Sequence, residues 1–239
     1  MQAFIRETIK ACQEIVEMLE VTTDPEAFRA QKIGAGGDES VGLDLMAEDI
    51  FVKHLQRFGQ ISSEESGVIG EGEEAQIVLD PIDGSDNMLT LFPYFGASIA
   101  YMKDARPVIG IVCNFANGDI FIKDSNQFLQ GKLHSTDFKP VEKHHTSKIG
   151  IFEKAALYPD ITYKLIQNKL KYRAPGAVAL SLAYAHYANY MVFLGKMRNY
   201  DLEAGLFMCE DLHMYKDDTR IIISKDKQIF EQVKKIILK

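Results

Sequence analysis

Cysteine, long apolar runs and surplus basic charge are all scarce in this 239-residue chain, and each scarcity excludes something. Cysteine occurs three times, at Cys12, Cys113 and Cys209. An odd number with no C-x-x-C spacing excludes a disulfide framework and a thiolate zinc site, so each is expected to pack as a small apolar residue. No apolar run approaches the roughly 18 residues needed to span a bilayer. The amino-terminal MQAFIRETIK carries Arg6, Glu7 and Lys10 where a signal peptide would need an apolar core. The expectation is a cytoplasmic protein with no membrane partner. Lys plus Arg number 27 against 34 Asp plus Glu, a net charge of -7. That balance argues against nucleic acid as a partner and leaves acidic side chains free to gather around a cation. With 46% hydrophobic and 26% charged residues the composition is that of a globular protein. The length is enough to bury a core without disulfide or structural metal.

Hydrophobic spacing divides the chain into elements. Ile5, Ile9, Cys12, Ile15, Val16 and Leu19 recur at three- and four-residue steps, which predicts an amphipathic helix over 3–20. Residues 21–42 lose that period and contain GAGGDES, which reads as a mobile loop. Helical spacing returns over 43–55. Ile77-Val78-Leu79 reads as a buried strand that stops at Asp80-Pro81, and strand-like runs at 96–103, 107–114 and 118–123 suggest an antiparallel meander. A strand candidate at 149–152 is followed by helical patterns at 160–170, 176–188, 201–215 and 226–238, with short apolar runs at 190–194 and 221–223. Tyr184, Tyr187 and Tyr190 read as packing on a helix face. The polar stretch 131–148, with His144-His145 exposed, is the best junction, giving one domain over 1–239 with pseudo-halves of about 1–145 and 146–239.

The chemistry concentrates at Asp80-Pro81-Ile82-Asp83-Gly84-Ser85. Carboxylates crowded at a strand end repel one another unless a cation lies between them, and a hard cation such as Mg²⁺ prefers oxygen ligands. The same residues could instead cap a helix and shape a turn. An EF-hand is excluded because Gly84 is fifth from Asp80 and position twelve is Leu91. The D-x-D of haloacid-dehalogenase phosphatases is excluded because Asp80 and Asp83 are one residue too far apart. Two further acidic segments accompany the first: Ser63-Glu64-Glu65-Ser66-Gly67, and Tyr200-Asp201 at the start of a helical pattern, where Asp201 could equally be an ordinary N-cap.

Taken together these segments resemble the inositol monophosphatase superfamily of lithium-sensitive, magnesium-dependent phosphatases, which includes fructose-1,6-bisphosphatases. Asp80 to Ser85 resembles its D-P-[IL]-D-G-[ST] signature, Glu64-Glu65 its E-E motif, and Tyr200-Asp201-Leu202-Glu203-Ala204-Gly205 its W-D-x-A-[AG]-G motif. Asp44 and Glu48 resemble its D-x-x-x-E helix, and the GGDES loop looks most like that of compact archaeal and bacterial members. The resemblance implies an α/β fold, a layered αβαβα sandwich, and a homodimer. It implies two or three Mg²⁺ ions, with Mn²⁺ able to substitute, held by Glu64, Asp80, the Ile82 carbonyl, Asp83 and Asp201, with Asp38 as a further ligand. Asp44 and Ser85 would activate the attacking water. Gly84, Ser85, Asp83 and the turn Gly176-Ala177 would meet the substrate. The implied activity is hydrolysis of a small phosphate monoester, an inositol phosphate or a sugar phosphate such as fructose 1,6-bisphosphate. The alternatives are a 3′-phosphoadenosine 5′-phosphate phosphatase or a non-catalytic regulator. Three positions depart from the pattern: Tyr200 stands for Trp, Asp86 adds a negative charge beside the signature, and Leu194 stands where inositol-specific members have Glu. Lys196 and Arg198 could meet a second phosphate, but a solvated loop is the simpler expectation for them.

Overall fold

The computed structural model describes residues 1–37, 39–72 and 76–238. The chain begins with α1 (Gln2–Val21), a hairpin of β1 (Ala30–Ile33) and β2 (Glu39–Val41), and α2 (Gly42–Leu55). It continues through β3 (Gln60–Ser63), β4 (Gly67–Ile69), β5 (Gln76–Asp83), the short α3 (Ser85–Leu89), β6 (Gly96–Lys103), β7 (Arg106–Asn114), β8 (Asp119–Asp124), β9 (Phe128–Lys132) and β10 (Lys139–Pro140). The second part contains β11 (Ile149–Glu153), α4 (Pro159–Gln167), β12 (Lys171–Arg173), α5 (Val178–Ala183), β13 (Met191–Leu194), α6 (Asn199–Met208), β14 (His213–Lys216), β15 (Arg220–Ser224) and α7 (Lys227–Ile237).

Side-chain alternation sets the layers. Strands β3 to β10 form an eight-stranded sheet in the order β10-β9-β8-β7-β6-β5-β3-β4, antiparallel except between β3 and β5. Ile77, Leu79, Ala97, Ile99, Ile109 and Ile111 face one side, where Phe4, Cys12 and Ile15 of α1 and Ala47 and Phe51 of α2 cover them. Val78, Ala100, Met102, Val112 and Phe121 face the other side, against Ala179, Leu180 and Ala183 of α5 and Ala204 and Met208 of α6. A sheet apolar on both faces must be covered on both. The opposite sides of α5 and α6, through Leu182, Leu202 and Cys209, then cover Met191, Phe193, Ile221 and Ile223 of a second sheet, ordered β12-β11-β13-β15-β14. The outer face of that sheet packs Val192 and Ile222 on Leu165 of α4 and Phe230 and Val233 of α7. The result is an αβαβα sandwich with α5 and α6 buried between the two sheets.

The structure corrects several local expectations. Residues 21–42 are not simply a loop: Pro25–Phe28 forms a 3₁₀ turn capped by Asp24, and β1 pairs with β2 across the glycines 34, 36 and 37. The pattern at 176–188 is helical only over Val178–Ala183, followed by a 3₁₀ turn at Tyr184–His186; Tyr190 lies beyond it and donates to the Leu170 carbonyl. The pattern at 201–215 splits into α6 and β14, and at the break Asp211 is held by His186 and Lys143. The strand at 77–79 does not stop at Pro81 but runs through it to Asp83. Proline is tolerated there because β3 pairs only with Gln76 to Leu79, so the missing N–H falls beyond that partner.

Candidate active site

The bend in β5 decides where its acids point. Asp80 lies opposite Ser98 and Asp83 opposite Gly96, so three steps along β5 match two along β6. This is a β-bulge. In a regular strand residues three apart face opposite sides; the extra residue turns Asp83 to the side of Asp80, while Ile82 enters the core beneath. Gly96 is needed opposite the bulge, because a Cβ there would lie 1.8 Å from the Cys113 carbonyl oxygen.

Glu64, Asp80 and Asp201 converge, with one carboxylate oxygen from each within 4.8 Å of the others. Glu64 follows β3, Asp80 lies in β5 just past its pairing with β3, and Asp201 lies in the first turn of α6. Asp80 is 1% exposed and Asp201 4%. Burial, and then Glu64, Asp201 and Asp83 nearby, push the Asp80 carboxyl well above its ordinary range. Burial also raises Asp201, against the pull of Arg198. Asp80 Oδ1 and Asp201 Oδ1 are buried without a hydrogen-bond partner. Unpartnered buried carboxylate oxygens are costly, and an all-oxygen donor set suits a hard divalent cation. The residues present fit such an ion.

Arg198 enters this cluster. Its Nη1 lies 2.7 Å from Glu64 Oε1 and its Nε 3.2 Å from Asp201 Oδ2. The expectation of a solvated loop side chain is therefore corrected for Arg198. Lys196 is exposed. Glu64 is held from the other side: Gly36 N–H donates to its carbonyl at 2.8 Å, and a Cβ on Gly36 would lie 2.6 Å from its side chain. Glu65 accepts from Ser40, and Glu48 accepts from the Ser66 N–H at 3.0 Å. The glycine loop thus docks on the Glu64-Glu65 turn. Asp38 lies outside the described residues.

Asp83 does something different from its neighbours. Its two oxygens accept from the N–H groups of Val178 and Leu180, each at 2.9 Å, and so cap α5 from another strand. Burial, then Asp201, raise its carboxyl, and the two N–H groups work against that rise. Beside it Glu153, buried at the end of β11, accepts from the Gly176 N–H at 3.0 Å and the Ser181 hydroxyl at 2.5 Å. Burial raises Glu153 as well.

Gly84 has φ +90, and a Cβ there would lie 3.1 Å from both Ala177 Cβ and the Tyr94 carbonyl oxygen. Asn87 ties the two turns together by donating to the carbonyls of Tyr94 and Pro175, both at 2.7 Å. Gly84, Ser85, Gly176 and Ala177 are thereby gathered on one wall. Ala177 is 1% exposed, backbone included, so it lies behind that wall, and of this turn only Gly176 is open at the surface. Ser85 Oγ lies 3.0 Å from Asp44 Oδ1 and 3.1 Å from the Ile82 carbonyl oxygen. Asp44 also accepts from the Val41 N–H at 2.9 Å, closing the first turn of α2, so capping and the contact with Ser85 coexist. Burial first, then Glu65 and Asp86 against two hydrogen bonds, pushes the Asp44 carboxyl up to about 7.

Sequence reasoning missed Arg198 as a partner of the acids, Glu153, and the Asn87 tie. Glu153 carried a usable signal: like Asp80, it is a carboxylate closing a short apolar strand. Arg198 carried a weaker one, three residues before Asp201 on the same helix start.

Comparison with known proteins identifies the family and the fold. The model of the inositol monophosphatase family matches residues 1–212. A protein of Methanothermobacter thermautotrophicus named fructose-1,6-bisphosphatase/inositol-1-monophosphatase is 32% identical over 202 residues, 75% of this chain and 71% of that one. The fructose-1,6-bisphosphatase of Pyrococcus furiosus is 30% identical over 164 residues, 67% of this chain and 61% of its own length. The crystal structure of an extragenic suppressor protein of Bartonella henselae superposes with a TM-score of 0.79 at 20% identity, covering 100% of this chain and 98% of that one, which shows the shared fold. On the strength of the family match across most of its length, this chain belongs to the inositol monophosphatase family.

Proposed function

We propose that the chain is a phosphatase that hydrolyses a small phosphate monoester, an inositol phosphate or a sugar phosphate, with Mg²⁺ as the native ion and Mn²⁺ able to replace it. Family membership supports the reaction class. The observation that carries the metal dependence is the pair of orphaned oxygens, Asp80 Oδ1 and Asp201 Oδ1, inside a cluster completed by Glu64. Glu64, Asp80 and Asp201 would hold the ions, with Asp83 and the Ile82 carbonyl beside them. Ions bound there would neutralise phosphate charge and acidify the attacking water.

The remaining work falls to the chain's own groups. The Ser85 hydroxyl donates to Asp44 and keeps its lone pairs for a water in front of it. As that water attacks phosphorus, its proton passes to Ser85 Oγ and the serine proton to Asp44, while the ester P–O bond breaks and the departing alcohol oxygen takes up a proton from solvent. A carboxylate raised to about 7 suits a base that must accept a proton near neutrality. Attack by water leaves no covalent phosphoenzyme. The exposed turn at Gly176, fixed by Glu153 and faced by Asn87, offers backbone to the sugar or polyol. Leu194 is buried in the core and gives a polyol no polar group, so nothing there favours inositol over a sugar.

The test is a phosphate-release screen across sugar phosphates, inositol phosphates and nucleotides, each with Mg²⁺ and with EDTA. Release from a sugar or inositol phosphate only in Mg²⁺ is expected. Full release in EDTA would refute the metal dependence. Preference for 3′-phosphoadenosine 5′-phosphate would move the substrate to the nucleotides, and silence on every compound would favour a non-catalytic regulator.

A further inference from the structure

We propose that Arg198 is a built-in counter-ion that sits among the acidic ligands in the ion-free protein and sets divalent-cation affinity by competing for them. The inference rests on reading Glu64, Asp80 and Asp201 as a metal site. Two members of that trio come from different parts of the fold, the turn after β3 and the start of α6, and the guanidinium bridges them. It reaches them because Arg198 is the residue that caps α6, three positions before Asp201.

Guanidinium is a planar fork that stays charged at any pH the protein meets. Its bonds to Glu64 Oε1 and Asp201 Oδ2 engage two of the carboxylates that converge here. In a buried site of low effective dielectric, a fixed positive charge at that distance opposes a dication strongly. Yet Arg198 does not complete the site. Among the described residues Asp80 Oδ1 and Asp201 Oδ1 remain without partners, and the single charge of Arg198 is set against the three carboxylates that converge there. The guanidinium therefore holds the cluster together without satisfying it, and an ion that brings two charges and several coordination positions can displace it. The Arg198 side chain is 24% exposed, and the preceding Gly195 to Met197 segment is not buried, so the side chain has a path outward. A purely structural ion pair would act in the opposite sense: it would hold the ligands in place, and its removal would weaken metal binding.

Mn²⁺ titration by calorimetry separates the two. Arg198→Gln and Arg198→Met are expected to bind Mn²⁺ about tenfold or more tightly than the wild type. Their melting temperatures in EDTA are expected to fall, and saturating Mn²⁺ to raise them by more than it raises the wild type. Arg198→Lys keeps the charge without the fork and is expected to lie between. If the Gln variant does not fold without metal, Met, which keeps an apolar stem of similar reach, and Lys carry the comparison. Unchanged or weaker Mn²⁺ binding in the folded variants, with binding in the wild type intact, overturns the proposal alone. If wild type and variants all fail to bind Mn²⁺, the metal reading falls and this proposal with it.

Discussion

Asp80 and Asp83 leave the same strand three residues apart, and both are buried, but their surroundings differ in kind. Asp83 is answered by protein: two N–H groups of α5 meet its two oxygens. Asp80 faces other carboxylates and keeps one oxygen unpartnered. A buried acid answered by backbone dipoles is part of the scaffold as well as of the site. A buried acid facing other acids has no such structural role and is retained at a cost to stability. Function should therefore depend on both residues, while stability should separate them.

The largest expected effect is on activity. Asp80→Asn should lower phosphate release about a thousand-fold or more, equivalent to ~4 kcal/mol of lost ion-derived stabilisation, and abolish Mn²⁺ binding by titration. Near-normal turnover in this variant would break the assignment of Asp80 to the metal.

Next in size is the Ser85–Asp44 pair. Ser85→Ala and Asp44→Asn should each lower kcat by about 10²-fold, and the double variant should lose little more than either single one, because one proton path is broken twice. Losses that simply multiply would refute the path and leave Asp44 as a helix-capping residue.

Metal-free stability then sharpens the contrast. Asp83→Asn replaces one accepting oxygen with an NH₂ group facing a backbone N–H, and should cost about 1–3 kcal/mol in urea unfolding. Asp80→Asn removes a repelled charge and should leave the EDTA-treated protein as stable as the wild type or more so. Destabilisation of equal size by both would erase the distinction drawn between them.

The smallest effect is on pH dependence. Asp44 rises from an ordinary 3.8 to about 7, and Asp80, Asp83 and Asp201 also shift upward. Groups whose folded pKa lies above the unfolded value contribute stability that is complete below about 4 and lost as pH rises through the folded value. In EDTA their contribution should therefore decline between about pH 4 and pH 8. Asp211 and Asp217 are shifted downward and act in the other direction. The diagnostic quantity is the gain in melting temperature on adding Mg²⁺, which should be larger at pH 8 than at pH 5. A gain independent of pH would contradict it.

Many of the elements were legible because long periodic segments carry strong signals, whereas their layering came from the family resemblance. The terminal helices, α2 and the meander from β6 to β8 stand close to where spacing put them. Short strands were not legible: β3, β4, β12 and β14 span three or four residues, too few for a period to register. The helix ends at α5 and α6 were overrun because Tyr184, Tyr187 and Leu212 keep apolar character after the backbone has left the helix. In the site, the acids could be picked out by type, and the motif order brought them into one family. What no local pattern carried was partnership across the fold: Arg198 with Glu64, Glu153 with Gly176 and Ser181, Asp83 with α5. Those contacts join segments between 23 and 134 residues apart in the chain.

The bulge in β5 also gives the signature its length. Strand side chains obey a parity rule, odd steps to one face and even steps to the other, so an unbroken strand would need two acids separated by a single residue to aim both at one site. Here the separation is two, and the surplus residue is absorbed where Asp80 to Asp83 is set against Ser98 to Gly96. Deleting either Pro81 or Ile82 would not merely shorten a loop. It would demand that the strand lose its bulge to keep Asp83 in place, or else swing that carboxylate through the sheet into the apolar layer beneath α2.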